Sequence, residues 1–321
     1  MNAVSTPMPQ AGSTSTSSYS SYSTLVYREW LQHRLGWTLV ALLPLLVAAG
    51  LVGFGQVQFD ADAQLPGPDV LPLIMALVAI AGSAALIFLI MVVTSSIIVT
   101  GLARRDVADR SIEFWLSLPT SDSVSLAVPL VVHLILVPAA ALLVGLAGGV
   151  LVSGVLVGRF VGIGAWLALP WGSLLAGTLA IALRVLLGLP LAVLWLSPLI
   201  GLTMLCTAWF KRWGIVVMAV GFGIGGWLVK RLFGDPLLTR ATGELLRQAG
   251  HALIDADGQG YAITNRTDPA VFLHHAWSTA LSDYPAALAN LASPLLVVAV
   301  AIAALCFWLL VRWRRRGAGG A

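Results

Sequence analysis

Residues 104–122 read RRDVADRSIEFWLSLPTSD. Arg104, Arg105 and Arg110 share this stretch with Asp106, Asp109, Glu113 and Asp122, whereas the flanking runs 70–103 and 124–157 contain no Lys, Arg, Asp or Glu. A charged knuckle between two long apolar runs has to sit in water on one side of a bilayer. Its arginines place it on the cytoplasmic side, where loop Lys and Arg accumulate. Within its second half, Ile112, Trp115, Leu116 and Leu118 are spaced among polar residues, which predicts a short amphipathic helix stopped at Pro119. A helix offered to the cytoplasm between two spans is suited to contacting a partner that does work.

Composition supports the same class. The chain is 59% hydrophobic and 10% charged, with a mean hydropathy of +0.92, against roughly 25% charged in soluble domains. Repeated apolar runs of about 18 residues or more indicate an all-α polytopic membrane protein, because a helix satisfies its own backbone in lipid. The fourteen acidic residues all fall outside the apolar runs; inside them the ionisable groups are His133 and Arg184, apart from Cys206 and Cys306. Ion- and proton-coupled carriers place carboxylates at membrane depth, so an internal proton relay is not expected. The two cysteines read as small core residues.

Working outward, 1–24 is rich in Ser and Thr and is expected to be a disordered cytoplasmic tail. The stretch 25–36, LVYREWLQHRLG, predicts an interfacial helix in which Leu25, Val26, Trp30, Leu31 and Leu35 face the membrane and Arg28, Glu29, Gln32 and Arg34 are interleaved. A single transmembrane domain over 37–311 follows. Six transmembrane helices are expected, at about 37–54, 70–103, 124–157, 186–210, 213–230 and 291–311, with seven as the alternative if 159–189 also crosses. Gly162, Gly164, Pro170, Gly172, Gly177 and Arg184 interrupt 159–189, which favours an interfacial or re-entrant segment. Six spans also keep Lys211, Arg212 and the basic tail 312–321 on the side of the N-terminus, both termini being cytoplasmic. The loop 231–290 predicts an external pair of helices. One is capped at Asp235 and Pro236 and carries a stripe of Leu237, Leu238, Ala241, Leu245, Leu246, Ala249, Leu253 and Ile254. After the turn 255–260, the other starts at Asp268 and Pro269 and carries Phe272, Trp277 and Leu281.

Motifs for chemistry are few. The sequences GxxxxGK[ST], HExxH and GxSxG do not occur. His274 and His275 are adjacent and so diverge on a helix, and DADGQG at 255–260 lacks the distal glutamate of a calcium loop. No catalytic residue, metal site or cofactor site is assigned, and no nucleic-acid partner. His133 is expected to pack or hydrogen-bond across helices, or to line a pathway; Arg184 is expected to snorkel to the outer interface or to face an aqueous cavity. The glycines of GFGIGGW, 221–227, suit close helix contact or a hinge.

At the knuckle the chain resembles a known family. DRSIEFWLSLPTSD, 109–122, is similar to the pattern DRSxxFWxSLPVSD of bacterial type-2 (ABC-2) ABC transporter permeases. WLSPLIGLTMLCTAWFKRW, 195–213, resembles the group's LWALPxxxWLLLVSAWxxR at the end of the fourth span. The chain departs from the pattern at Glu113, Thr120 and Pro129. The resemblance implies the permease subunit of an exporter in a bacterial cytoplasmic membrane, not an enzyme by itself. A second permease copy and separate ABC ATPase subunits, which bind the ATP, complete the transporter. Arg104, Arg105, Asp109, Arg110, Glu113, Phe114, Trp115 and Leu116 would couple it to the ATPase. The alternative is a non-transporting membrane assembly or sensor protein that binds another cytoplasmic partner. An intramembrane enzyme would have only His133 and Arg184 to work with.

Overall fold

A computed structural model of the chain describes residues 17–55, 70–108, 122–254, 276–278, 280 and 282–318. Among the described residues every regular element is helical. Two long helices come first, α1 (Ser17–Phe54) and α2 (Leu71–Ala108). A third rod consists of α3 (Asp122–Val131), a π-helical turn (Val132–Leu136) and α4 (Val137–Phe160). The short α5 (Ile163–Leu167) leads into the 40-residue α6 (Trp171–Phe210), a 3-10 turn (Lys211–Trp213) and α7 (Gly214–Phe233). Then come α8 (Leu237–Leu253), α9 (Tyr284–Ala289) and α10 (Pro294–Ala318).

Among the described residues, five continuous helical segments are long and apolar enough to cross a membrane: 22–54, 71–105, 122–160, 171–233 and 294–315. The fourth holds both α6 and α7. Side chains such as Leu35, Leu46, Leu51, Leu151 and Ile224 face outward. A contiguous outward apolar surface of this extent is stable against lipid and not against water. The protein is therefore a multi-pass membrane protein.

Small residues set the closest packing. Gly145 and Gly149, four apart on α4, lie against α2; an added Cβ would stand 2.7 Å from the Ala84 Cα and 2.6 Å from the Ile80 Cα. Removing side chains there lets two backbones approach, which is how membrane helices gain dispersion energy in the absence of a hydrophobic drive. The α6–α7 hairpin uses the same device. A Cβ on Gly214 would lie 2.4 Å from the Thr207 Cα, and Lys211 turns the chain at φ 55°. Helix α10 runs parallel to the second half of α6, with Leu296 and Ala299 near Trp195 at one end and Leu310 and Val311 near Met204 and Ala208 at the other.

The bundle has two distinct ends. At the base lie the first half of α1, the exit of α2, the start of α3, the α6–α7 hairpin and the end of α10. There Arg315 on α10 donates to Asp122 on α3 at 2.6 Å, and Arg314 to Ser125 at 3.1 Å. The Thr207 hydroxyl on α6 donates to the Thr100 carbonyl on α2. At the far end Arg159, closing α4, donates to the carbonyls of Val52 (2.6 Å), Gly53 and Gly55 (2.9 Å) as α1 finishes. These are carbonyls that a helix C-terminus leaves without internal partners.

Several expectations change here. The segment 25–36 is not set apart from the first span: α1 is continuous from Ser17, inside the expected tail, to Phe54. The helix that carries the expected fourth span begins at Trp171, well before 186. Gly172, Gly177, Arg184 and Pro190 all sit within one helix, and only 161–170, around Gly162 at φ 115°, turns the chain. At 1.5 Å per residue α6 is about 60 Å long, twice the hydrocarbon thickness of about 30 Å. Its middle, from Ala182 to Trp195, is supported by α8 packed against it, which carries the helix past Gly188 and Pro190. In the expected external helix, Pro236 rather than Asp235 takes the N-cap position and makes no side-chain cap; Asp235 pairs instead with Arg240 at 3.1 Å. Leu245, Ala249 and Ala252 of α8 are buried, while Leu237 and Leu246 are exposed. The basic tail is helical as far as Ala318, with Arg314 buried against α3. The turn 255–260, Asp268, Phe272 and Leu281 lie outside the described residues.

Candidate functional site

The buried face of α1 is a four-residue stripe: Leu25, Glu29, Trp37, Ala41 and Leu45 are all buried, and His33 between them is half-buried. A strict spacing of four places side chains one above another on a helix. The face expected to enter the membrane from an interfacial helix, with Val26, Trp30, Leu31 and Leu35, points outward instead. Glu29 thus continues an apolar stripe into the base of the bundle and is 0% exposed.

Four basic side chains converge on it. Oε1 accepts from Arg28 Nη2 at 2.6 Å and from Arg105 Nη2, at the exit of α2, at 2.9 Å. Oε2 is held more loosely, with Arg105 Nη1 at 3.3 Å, His133 Nε2 at 3.4 Å and His33 Nε2 at 3.9 Å. The cluster therefore joins α1, α2 and the π turn. A buried carboxylate is tolerable only when paired and hydrogen-bonded in this way. It also revises the expectation that the bundle interior carries no carboxylate, since Glu29 had been placed among the polar residues of an interfacial helix.

His133 makes the cross-helix hydrogen bond that was one of its two expected roles. Its backbone explains how it gets there. Pro138 has no N–H, and the Val137 N–H reaches back five residues to the Val132 carbonyl. The widened turn rotates His133 into the space between α1 and α2, where it is fully buried. An aromatic shell completes the site: the Trp37 ring stacks on His33 at 5.4 Å between centroids and meets His133 edge-on at 5.4 Å.

Glu29, His33 and His133 offer three ligand atoms within 4.8 Å of one another, a two-histidine, one-carboxylate set. The charge balance opposes a cation. Two guanidinium groups already hold the one carboxylate, so the described side chains sum to +1 with neutral histidines. A divalent ion would have to displace Arg105 from Oε2 and remain beside it. The arrangement is better suited to an ionic joint between α1, α2 and the π turn.

Arg184 follows neither of its expected behaviours. It does not snorkel or face a cavity; it is fully buried on α6. Nε donates to Asp283 Oδ1 at 2.9 Å, Nη1 to the Ala252 carbonyl at 2.6 Å and Nη2 to the His251 carbonyl at 3.2 Å, while the guanidinium lies 5.4 Å from the Tyr284 ring centroid. Arg184 thus caps the C-terminus of α8, where the helix dipole favours a cation, and ties it to α9 through Asp283. Gly188, one turn on, admits the α8 backbone, since a Cβ there would stand 1.9 Å from the Ala252 oxygen.

Of the expected coupling residues, Arg105 enters the Glu29 cluster and Arg104 lies half-buried on the same turn of α2. Asp109, Arg110, Glu113, Phe114, Trp115 and Leu116 lie outside the described residues. The glycines of 221–227 divide by face. Gly225 and Gly226 meet Leu238 and Thr239 of α8, whereas Gly221 and Gly223 have nothing within 4 Å among the described residues.

Glu29 and His33 were missed as site residues. Their signal was present: the period-four register Leu25–Glu29–His33–Trp37–Ala41 runs straight through Gly36, where a helix boundary had been expected. Comparison with known proteins returns no match to any protein-family model, curated protein or solved structure.

Proposed function

We propose that this chain is the transmembrane permease subunit of an ATP-binding cassette exporter. Its six crossings are α1, α2, the α3–α4 rod, α6, α7 and α10, with both termini, the base and the segment 104–122 in the cytoplasm of a bacterial cell. The chain carries no ATPase of its own; it pairs with a second permease copy and with a separate ABC ATPase docked on 104–122. Lys211, Arg212 and the arginines of 312–316 then share the base side, in keeping with the bias of cytoplasmic loops toward basic residues.

The observation that carries this reading is how the flanks of 109–121 are anchored. On one side Arg105, in the last turn of α2, joins the Glu29 cluster, and on the other Asp122 starts α3 in an ion pair with Arg315. A push delivered at these anchors would pass into both helices, and through His133 into the π turn. A two-state element biased by nucleotide on a partner requires that kind of connection.

The test is co-purification with candidate ABC ATPase subunits from the same cell, comparing wild type with Arg110→Glu/Glu113→Arg. The expected result is a stable complex whose ATP hydrolysis loses its dependence on the permease in the double variant. If no ATPase associates in any detergent or lipid, the proposal fails, and a non-transporting assembly or sensor protein takes its place.

A further inference from the structure

The rod of α3, the π turn and α4 is held at both ends and loosened in its middle. At the base, Arg315 and Arg314 of α10 donate to Asp122 and Ser125. Further up, Gly145 and Gly149 bring its backbone against α2. Between these anchors Pro129 and Pro138 each lack a main-chain donor, and the π turn lies between the two. A helix interrupted in this way bends there more readily than along its intact parts.

Space lies on both sides of that turn. One groove, of about 370 Å³, opens toward α6 and α10 and takes in Ile135, Ser197 and Ala304. Another, of about 380 Å³, opens toward α2, α6 and α7 and takes in Ser96, Thr203 and Ile215. Leu134 and Ile200 line both grooves and so stand between them. Interiors packed to crystal density leave no such paired space, and lipid chains that enter it are as apolar as leucine. A polar atom beside the turn is also unmatched. On α2, Thr94 and Ser96 donate to the carbonyls of Ile90 and Val92 at 2.8 and 2.7 Å. Ser95 between them is 1% exposed, and its hydroxyl has no hydrogen-bond partner among the described residues. Its face of α2 is that of Met91 and Val99, whose clusters include Val132 of the π turn and Leu126 of α3. A buried hydroxyl without a partner is rare enough to need a reason.

We propose that the π turn is a two-position hinge: Leu134 occupies the groove beside α10 in one position and the groove beside α7 in the other, and the Ser95 hydroxyl donates to a main-chain carbonyl of the turn in the second position alone. The structure holds the first position, because Ser95 is unmatched in it. Leu134 exchanges one apolar wall for another, so apolar burial changes little. The hydrogen bond gained by Ser95, to a carbonyl that Pro138 cannot serve, offsets the bending. Both anchors keep their contacts, so the rod bows between them and the base changes shape without breaking either end. The inference stands independently of the exporter reading, because it uses only the packing of the rod against α2, α6, α7 and α10.

The experiment is methyl NMR of the full chain in nanodiscs, with Leu134→Met placing a labelled methyl between the grooves at little change in volume. Two signals are expected, or one averaged signal that moves in opposite directions when one groove or the other is filled. Ser96→Leu fills the groove beside α7 and is expected to leave the signal of the α10 position; Thr203→Leu fills the same groove and serves if the first variant does not fold. Ala304→Leu fills the groove beside α10 and is expected to leave the signal of the α7 position. Ser95 lines neither groove, and Ser95→Ala is expected to lower the share of the α7 position about fivefold, the equivalent of one net hydrogen bond of about 1 kcal/mol. A signal that neither filling variant moves overturns the hinge. So does an unchanged share of the two positions in Ser95→Ala, which would remove the hydroxyl from the account.

Discussion

Glu29 and Arg184 are the two fully buried charges whose surroundings are most completely described, and they are opposites in more than sign. Arg184 is a cation met by acceptors: two carbonyls that end α8, one carboxylate and one aromatic face. All three guanidinium nitrogens have an acceptor, and the site lies between α6, α8 and α9. Glu29 is an anion met by two guanidinium and two imidazole groups, three of the contacts at 3.3–3.9 Å, beside a π turn and an open groove. A tightly held centre fixes a geometry, whereas a loosely held one leaves room for a second arrangement. The far-end cap is thus built to stay and the base joint to yield.

The largest expected effect comes from breaking the saturated centre. Arg184→Met removes the cation from two carbonyls and from Asp283, and is expected to cost about 3–5 kcal/mol, read as thermal unfolding in detergent. Asp283→Asn should cost less, because Arg184 keeps both carbonyls, and the double variant should fall short of the sum. Equal losses for both single variants would show that the ion pair alone, not the helix cap, matters there.

A smaller effect is expected at the base. Glu29→Gln keeps the shape and one acceptor and removes the countercharge of groups that retain some water, for a loss of about 2 kcal/mol. Its distinguishing feature is location: the loss should fall on contacts of α1 with α2 and the π turn, and leave the α6–α8 contact intact. A loss as large as that of Arg184→Met would erase the contrast between the two centres.

The contrast also separates what was legible in sequence from what was not. The apolar runs, the arginine bias and the knuckle gave the all-α membrane class, because hydropathy in lipid is a one-dimensional property. His133 and Arg184 stood out as polar groups within apolar runs for the same reason. Their partners were not, because Arg184 finds Ala252 and Asp283 across 68 and 99 residues, separations that local pattern does not carry. Glu29 was hidden differently. A carboxylate beside Arg28 and Gln32 looks like surface, and only the four-residue register, taken together with Trp37 and Ala41, turns it inward. Likewise Pro190 and the glycines of 172–188 suggest a broken segment by propensity, and tertiary support from α8 overrides it.

The most direct test of this account is hydrogen–deuterium exchange of the full chain in nanodiscs, following the amides of 132–137 at the π turn against those of 184–192 on α6. The account predicts faster exchange at the π turn, accelerated further by Glu29→Gln with no change on α6, since the base opens as a local unit. Equal protection of the two regions, or acceleration of both together by Glu29→Gln, would contradict it and make the bundle a single rigid body.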